Sequence, residues 1–222
     1  MEQQQHNIGG RMCRLYSVGT PQALLVQVVS PMQQGELEAE VELIAAAGVP
    51  FTFVAVPIED WELELMPWAE PAVSKRPEVG TGAGATLRYI TDELLPTLPA
   101  LPVTLGGYSL GGLFSLWAAR QTDRFPYVAA ASPSLWAGDW PVYAAAHQMK
   151  ARHVYLSLGD REERSRNKVM ARVGERIREE YSLLQQLLGA DNTTLVWEQG
   201  GHFADPAARM ARAFVWCLKH TA

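Results

Sequence analysis

Short apolar segments alternate with helix-patterned segments along most of this chain, and this alternation limits the folds that it can adopt. The apolar segments are almost unbroken, which is typical of strands buried on both faces of a parallel sheet. Strands are predicted at residues 23–29, 50–58, 102–105, 127–132, 153–159 and 193–199. Helices are predicted at residues 36–47, 85–95, 113–120, 168–188 and 206–219. The predicted fold class is therefore α/β, with a mostly parallel central sheet and helices on both faces.

No internal repeat or low-complexity linker divides the chain. Its 222 residues suit one domain of this class, and a hydrophobic content of 48% supplies an ample core. We therefore expect residues 1–222 to form a single α/β domain, with residues 1–10 as a flexible N-terminal segment.

Charge and targeting features exclude several classes of protein. A net charge of -5 argues against a nucleic-acid binder, because such proteins usually carry a basic surplus. The N-terminus lacks the pattern of a secretory signal, and no run approaches the roughly 18 apolar residues of a membrane span. Cys13 and Cys217 make no disulfide framework, so both are expected to be reduced and buried. The chain is expected in the cytoplasm, away from membranes, as a monomer or a dimer.

One polar residue, Ser109, lies among glycines between a predicted strand and a predicted helix. Residues 106–112 are Gly-Gly-Tyr-Ser-Leu-Gly-Gly, and glycine permits a sharp turn because it has no β-carbon. The pattern Gly107-x-Ser109-x-Gly111 matches the strand–turn–helix motif, the nucleophile elbow, that presents a catalytic serine. The alternative is a glycine-rich turn that binds phosphate or only packs a helix on the sheet.

A general base for Ser109 is predicted at His202. Ligands of parallel α/β sheets bind beyond the carboxyl ends of the strands, and His202 follows the last predicted strand in a glycine loop. The other histidines lie near the termini, in a predicted helix or at its end, or at the amino end of a strand. The order serine, acid, histidine of a hydrolase triad also places the histidine in the last loop.

The acid of such a triad is expected after the strand at residues 153–159. Three carboxylates follow that strand: Asp160, Glu162 and Glu163. A carboxylate is needed to hold the imidazole in the tautomer that accepts the serine proton. Glu162 is preferred because its loop can curl back toward His202, Asp160 is the alternative acid, and spacing does not decide between them.

The remaining site features follow from placement. The oxyanion of a tetrahedral intermediate needs N–H donors, which are expected from the backbone of Leu110 and from Met32 or Gln33. Tryptophans follow two strands on the same side of the sheet as Ser109, and Trp68 and Trp136 are candidates for an apolar substrate pocket, with core packing as the alternative. No zinc-binding pattern occurs, so neither a metal nor a cofactor is expected.

The block at residues 105–136, LGGYSLGGLFSLWAARQTDRFPYVAAASPSLW, resembles the putative esterases of the α/β-hydrolase superfamily, which include esterase D and enterochelin-esterase-like proteins. Similar segments are LELMPW at 63–68, LRYITDELLP at 87–96, LSLGDREE at 156–163 and GGHF at 200–203. The resemblance implies an α/β-hydrolase fold with Ser109 as nucleophile and His202 as base. The chain is too short for a large cap domain, so an open site is expected.

These observations predict a serine carboxylic-ester hydrolase that acts on small or medium acyl esters through a Ser-His-acid triad and an acyl-enzyme intermediate. A thioesterase, an acyltransferase or a lactone hydrolase would use the same residues. The alternative from another class is a non-catalytic member that keeps the fold and binds a ligand, because fold does not determine function.

Overall fold

Eight strands form one sheet in the computed structural model, which describes residues 1–69, 76 and 78–221. The strands are β1 (Glu2–Ile8), β2 (Arg11–Val18), β3 (Leu24–Val29), β4 (Phe51–Pro57), β5 (Val103–Tyr108), β6 (Tyr127–Ala131), β7 (His153–Gly159) and β8 (Thr193–Glu198). Their order is β1-β2-β4-β3-β5-β6-β7-β8. The pairs β1–β2 and β2–β4 are antiparallel and the other pairs are parallel.

Helices connect the parallel strands. They are α1 (Leu37–Ala45), α2 (Trp61–Leu65), α3 (Ala83–Arg88), α4 (Leu110–Gln121), α5 (Trp140–Ala146), α6 (Val173–Leu188) and α7 (Pro206–Leu218). A π-helical segment, Tyr89–Leu94, continues α3. The start of α7 is specified locally, because Asp205 accepts a hydrogen bond from the Ala208 N–H and Pro206 occupies the first helical position.

Two hydrophobic cores lie on opposite faces of the sheet. Leu24, Val26 and Val28 of β3 contribute to one core, and Leu25 and Val29 contribute to the other. Successive side chains of a strand point to opposite faces, so a mainly apolar strand such as β3 fills both cores. Helices α1 and α7 cover one face, while α4, α5 and α6 supply buried residues to the core on the other. The predicted architecture, a mostly parallel sheet with helices on both faces and no large cap, is confirmed.

The N-terminus differs from the expectation. Residues 1–10 were expected to be flexible, but Glu2–Ile8 forms the edge strand β1 and pairs with β2. The turn between them contains Gly9 and Gly10 at φ 55° and 87°, values that suit a two-residue hairpin. Six of the seven β1 residues are exposed, so no apolar pattern marks the strand in the sequence.

Some boundaries also differ from the expectation. Strand β5 extends to Tyr108 and α4 begins at Leu110, so Ser109 alone forms the junction between them. Helix α6 begins at Val173 instead of residue 168. Both cysteines are buried and free, as expected. None of the helices in the described ranges has the length and apolar character needed to cross a membrane.

Candidate active site

Ser109 lies at the turn between β5 and α4 with a strained backbone. Its φ of 58° and ψ of -119° are sparsely populated for a non-glycine residue, and such strain is found mainly where surrounding contacts enforce it. The Ser109 N–H donates to the Ala131 carbonyl oxygen at 3.1 Å, and the Ser109 carbonyl accepts from Gly112 N–H at the same distance. A β-carbon at Gly107 would collide with the backbone of Gly111, so the tight turn requires glycine there.

Ser109, His202 and Glu162 form a continuous hydrogen-bonded row. The Ser109 Oγ lies 3.0 Å from His202 Nε2, and His202 Nδ1 lies 2.7 Å from Glu162 Oε2. The His202 side chain is 30% exposed and that of Glu162 is 4% exposed, so the row runs from the surface into the protein. The three residues follow β5, β8 and β7, respectively, at the carboxyl edge of the sheet, where α/β proteins bind ligands.

Hydrogen bonds hold Glu162 as a carboxylate despite its burial. Its Oε1 accepts from Ser132 Oγ at 2.7 Å, from the Gly159 N–H at 2.7 Å and from Arg209 Nη1 at 3.1 Å. Burial raises the pKa of Glu162, but the hydrogen bonds from His202, Ser132 and Gly159 outweigh this effect, so the pKa lies below its usual value. An ionised carboxylate only accepts hydrogen bonds, so His202 donates through Nδ1 and its Nε2 is free to accept from Ser109.

The other two carboxylates of this loop have different partners. Asp160 Oδ1 accepts the Gly200 N–H at 2.8 Å, which ties the β7 end to the loop before His202. Glu163 forms an exposed ion pair with Arg178, with an N–O distance of 2.9 Å. In the described part of the chain, neither carboxylate forms a hydrogen bond with His202.

The predicted oxyanion donors, Leu110 and Met32, follow β5 and β3 at the same edge of the sheet. Leu110 is the first residue of α4, and the first N–H groups of a helix have no acceptor within the helix. Met32 follows β3, and its side chain is 83% exposed. The Gln33 N–H already donates to the Ser30 carbonyl oxygen at 3.1 Å, so of these two residues Met32 is the better candidate.

The tryptophans near the carboxyl edge of the sheet lie in different environments. Trp68 packs into an aromatic cluster with Trp140 and Tyr143, at ring-centroid distances of 6.2 and 5.3 Å. Trp136 is half-buried against the same core. Trp61 lies beside the serine turn, where a β-carbon on Gly111 would contact its ring at 3.3 Å.

Among the described residues, four further side chains form hydrogen bonds with the row and were not predicted from the sequence. Ser134 Oγ lies 3.2 Å from Ser109 Oγ, and the Tyr108 hydroxyl donates to the His202 carbonyl at 2.6 Å. Ser132 and Arg209 bind Glu162, as described above. The two serines follow β6 at the carboxyl edge, which is a signal that could have identified them. Arg209 has no such signal, because an arginine on a helix is usually solvated.

The arrangement suits nucleophilic catalysis. A serine hydroxyl within hydrogen-bond distance of an imidazole, itself oriented by a carboxylate, is the geometry that activates serine for attack on a carbonyl carbon. Among the described residues, no group of three His, Cys, Asp or Glu side chains is placed to hold a metal ion.

Comparisons with known proteins identify the family of this chain. A family model described as “Putative esterase” matches residues 30–202, which is more than half of the chain. No curated protein matches it.

Several solved structures share the fold. A siderophore hydrolase, EstA, from Aspergillus nidulans superposes with a TM-score of 0.71 at 18% identity, over 96% of this chain and 91% of that one. An IroE-like serine hydrolase from Shewanella oneidensis gives 0.75 at 15% identity, over 99% and 79%. The enterobactin esterase FES from Shigella flexneri gives 0.70 at 15% identity, and 99% of this chain covers only 59% of that one. At these identities the likeness concerns the fold, and it confirms the predicted fold class.

Proposed function

Since this chain belongs to the “Putative esterase” family, as its sequence predicted, and is a serine hydrolase, we propose that it cleaves small or medium acyl esters with Ser109 as the nucleophile. The observation that carries the proposal is the hydrogen-bonded row in which Ser109 Oγ lies 3.0 Å from His202 Nε2 and His202 Nδ1 lies 2.7 Å from Glu162. In this row Glu162 orients His202, and His202 Nε2 is the acceptor for the Ser109 proton.

Acylation begins when Ser109 Oγ attacks the ester carbonyl carbon. His202 Nε2 takes the serine proton, and Glu162 stabilises the imidazolium that forms. The tetrahedral oxyanion accepts hydrogen bonds from the backbone N–H of Leu110 and from that of Met32. The imidazolium then donates the proton to the departing alkoxide, which leaves as an alcohol, and the acyl group stays on Ser109.

Deacylation repeats these steps with water. His202 takes a proton from water, the hydroxide attacks the acyl carbon, and Ser109 leaves with the proton returned by His202. The products are a carboxylic acid and the free enzyme. In both halves of this cycle, every transferred proton passes through His202.

The substrate class follows from the open form of the site. No large cap covers the carboxyl edge of the sheet in the described ranges, which favours small and medium acyl groups over long chains enclosed in a tunnel. Strands β1 to β8 belong to one sheet, which supports a single catalytic domain. The siderophore hydrolase from Aspergillus nidulans shares the fold, so a siderophore ester belongs in the panel of substrates to test.

The first test is hydrolysis of p-nitrophenyl esters, from acetyl to long acyl chains, by wild type and by Ser109→Ala. We expect the substitution to reduce turnover by about 10⁶-fold, since the members of a triad act as a unit. Ser182→Ala, which removes an exposed hydroxyl from α6, is the matched control and should retain full activity. A fluorophosphonate should label Ser109 in the wild type, as mass spectrometry can verify.

Other outcomes would favour the alternatives. Slow turnover that Ser109→Ala leaves unchanged, with no fluorophosphonate label on the folded protein, would favour a non-catalytic binding protein. Faster cleavage of thioesters or lactones than of esters would identify one of the related activities. Transfer of the acyl group to an added alcohol in preference to water would identify an acyltransferase.

A further inference from the structure

Arg209 is a buried arginine that takes no part in the proton transfers described above. It lies in the first half of α7, and its side chain is only 1% exposed. Burying a guanidinium is costly unless hydrogen bonds and an opposite charge compensate for the lost water. The contacts that compensate for the burial of Arg209 therefore indicate its role.

Those contacts join the ends of four strands. Nη1 lies 3.1 Å from each of three acceptors, the Tyr108 hydroxyl, Ser132 Oγ and Glu162 Oε1. Nη2 donates to the Gln199 and Gly201 carbonyl oxygens, also at 3.1 Å. The acceptors follow or end β5, β6, β7 and β8, so one planar cation bridges the segments that carry the serine, the acid and the histidine.

The backbone contacts fix the histidine loop. Gln199 and Gly201 flank Gly200, which has a φ of 103°, and His202 follows directly. Arg209 holds both flanking carbonyls, and the Tyr108 hydroxyl, itself bound to Arg209, donates to the His202 carbonyl. Loss of the guanidinium would release the loop on which the His202 ring depends for its distance to Ser109.

The charge of Arg209 acts on the same residues. Glu162 presents Oε1 to Arg209 and Oε2 to His202, so the cation and the base share one carboxylate. In a buried, weakly screened site such charges interact strongly. A carboxylate that is partly neutralised by arginine attracts a proton onto His202 less than an unpaired carboxylate does.

We infer that Arg209 is a positioning residue that holds Glu162 and the His202 loop in place and, through its charge, keeps His202 unprotonated to lower pH than an unpaired Glu162 would allow. The inference rests on the proposed function for its catalytic meaning. Its electrostatic part concerns His202 alone and can be measured without activity.

The other titratable groups described near the row are Tyr108, Asp160 and Asp205. Tyr108 faces His202 from β5, at a ring-centroid distance of 5.4 Å, and burial raises its pKa, so it stays neutral. Asp160 binds the Gly200 N–H from the β7 side, and Asp205 caps α7. A change in the titration of His202 in an Arg209 variant therefore reports the loss of the guanidinium.

The test compares Arg209→Gln and Arg209→Lys with wild type. In wild type, the acid limb of kcat/KM against pH reports protonation of the free enzyme's base. Arg209→Gln removes the charge, and we expect the limb to move to higher pH by about one unit, as nearby charges commonly cause. Arg209→Lys keeps the charge but loses the bidentate carbonyl contacts, so kcat should fall by about tenfold while the limb stays near that of wild type.

Arg212→Gln is the matched control. Arg212 lies on the same helix and pairs with Glu198 at the surface, so its loss changes the net charge equally without touching Glu162. Its pH profile should coincide with that of wild type. Circular dichroism establishes whether each variant is folded. If Arg209→Gln does not fold, the results for Arg209→Lys alone test the inference.

A second measurement separates this inference from the proposed function. NMR titration of His202, assigned with the spectrum of His202→Asn, gives its protonation directly in a Ser109→Ala background. Two results would overturn the inference even if the esterase is active. One is a titration midpoint of His202 in folded Arg209→Gln that equals that of wild type. The other is a midpoint in Arg209→Lys that rises by as much as the one expected for Arg209→Gln. A shifted His202 with no ester hydrolysis by wild type would instead reject only the proposed function.

Discussion

Three carboxylates within four positions, Asp160, Glu162 and Glu163, have three different partners. Glu162 points inward to His202, Asp160 binds the Gly200 N–H, and Glu163 pairs with Arg178 at the surface. The three side chains differ in direction because a 3₁₀ turn, Glu162–Arg164, begins directly after Arg161. Sequence spacing limits the acid to this loop, whereas the direction of each side chain depends on contacts with residues far along the chain.

The first prediction concerns the identity of the acid. Glu162→Gln preserves shape but donates a hydrogen bond to His202 Nδ1 or leaves it in the wrong tautomer, so kcat should fall by about 10⁴-fold. Glu163→Gln, whose partner lies at the surface, should stay within twofold of wild type. The measurement is kcat for a p-nitrophenyl ester near neutral pH.

Asp160→Asn provides the contrasting case. Its amide can still accept the Gly200 N–H, so we expect only a severalfold loss from a looser histidine loop. If Asp160→Asn lost as much activity as Glu162→Gln, or if Glu162→Gln kept most of its activity, Glu162 would not be the acid.

At the scale of elements, the junction of β5 and α4 determines where the serine is presented. The turn has one residue, Ser109, because β5 extends to Tyr108 and α4 begins at Leu110. The backbones of Gly107 and Gly111 approach closely across it, and the Ser109 carbonyl accepts from the second and third residues after Leu110. The geometry therefore depends on the absence of a side chain at Gly107 and on the strained Ser109 backbone.

The second prediction tests that dependence with two glycines. Gly107→Ala would force its β-carbon against the backbone of Gly111, so we expect the variant to be strongly destabilised or folded with a displaced Ser109. Gly201→Ala is the matched control, since a β-carbon there meets no atom within 4 Å and its φ is not in the left-handed region. Thermal unfolding and the rate of fluorophosphonate labelling measure the two effects. Equal behaviour of the two variants would contradict this account of the turn.

The elements that the sequence predicted well are those with a local signal. Mainly apolar runs identify β3 and β4 because both faces of these strands are buried. The glycine pattern and the chain order identify Ser109 and His202. Strand β1 has polar, exposed residues on both faces and is specified by its turn and by pairing with β2, neither of which is visible as periodicity. Arg209 is likewise specified by tertiary contacts, because three of its five acceptors, on Tyr108, Ser132 and Glu162, lie 47 to 101 residues away along the chain.

At the scale of the whole molecule, buried carboxylates link folding to pH. Among the residues that the structure describes, three glutamates are buried, and two of them have an arginine partner: Glu180 pairs with Arg120 at 2.7 Å, and Glu162 pairs with Arg209 at 3.1 Å. Glu40 of α1 instead accepts a hydrogen bond from Gln27 Nε2 of β3 at 3.3 Å. Among the described residues, the Gln27 Oε1 and Glu40 Oε1 atoms are buried with no hydrogen-bond partner.

This environment favours the protonated form of Glu40. Burial raises its pKa to about 8, with the charge of Glu36 acting in the same direction and the Gln27 hydrogen bond opposing it. A protonated carboxyl also has an O–H donor, which is the group that the Gln27 carbonyl oxygen lacks. The folded protein therefore keeps a proton at Glu40 that the unfolded chain releases near pH 4.5.

The last prediction follows from the sign of this difference. Because the folded pKa lies above the unfolded one, the contribution of Glu40 to stability is complete below about pH 4.5 and is lost as the pH rises toward 8. Glu40→Gln cannot ionise, so its melting temperature should decline less between pH 5 and pH 8 than that of wild type. Each kcal/mol of this difference corresponds to about 2–4 °C for a domain of this size.

Glu38→Gln is the control for this experiment, since Glu38 is an exposed glutamate on the same helix. Its melting temperature should follow wild type across the range, because this substitution leaves Glu40 and its buried surroundings unchanged. Parallel curves for wild type and Glu40→Gln would mean that Glu40 is ionised in the folded protein, with water or a cation reaching it between α1 and β3. If the melting temperature of Glu40→Gln instead rises above that of wild type as the pH increases, the loss of wild-type stability toward pH 8 comes from the buried carboxyl group of Glu40.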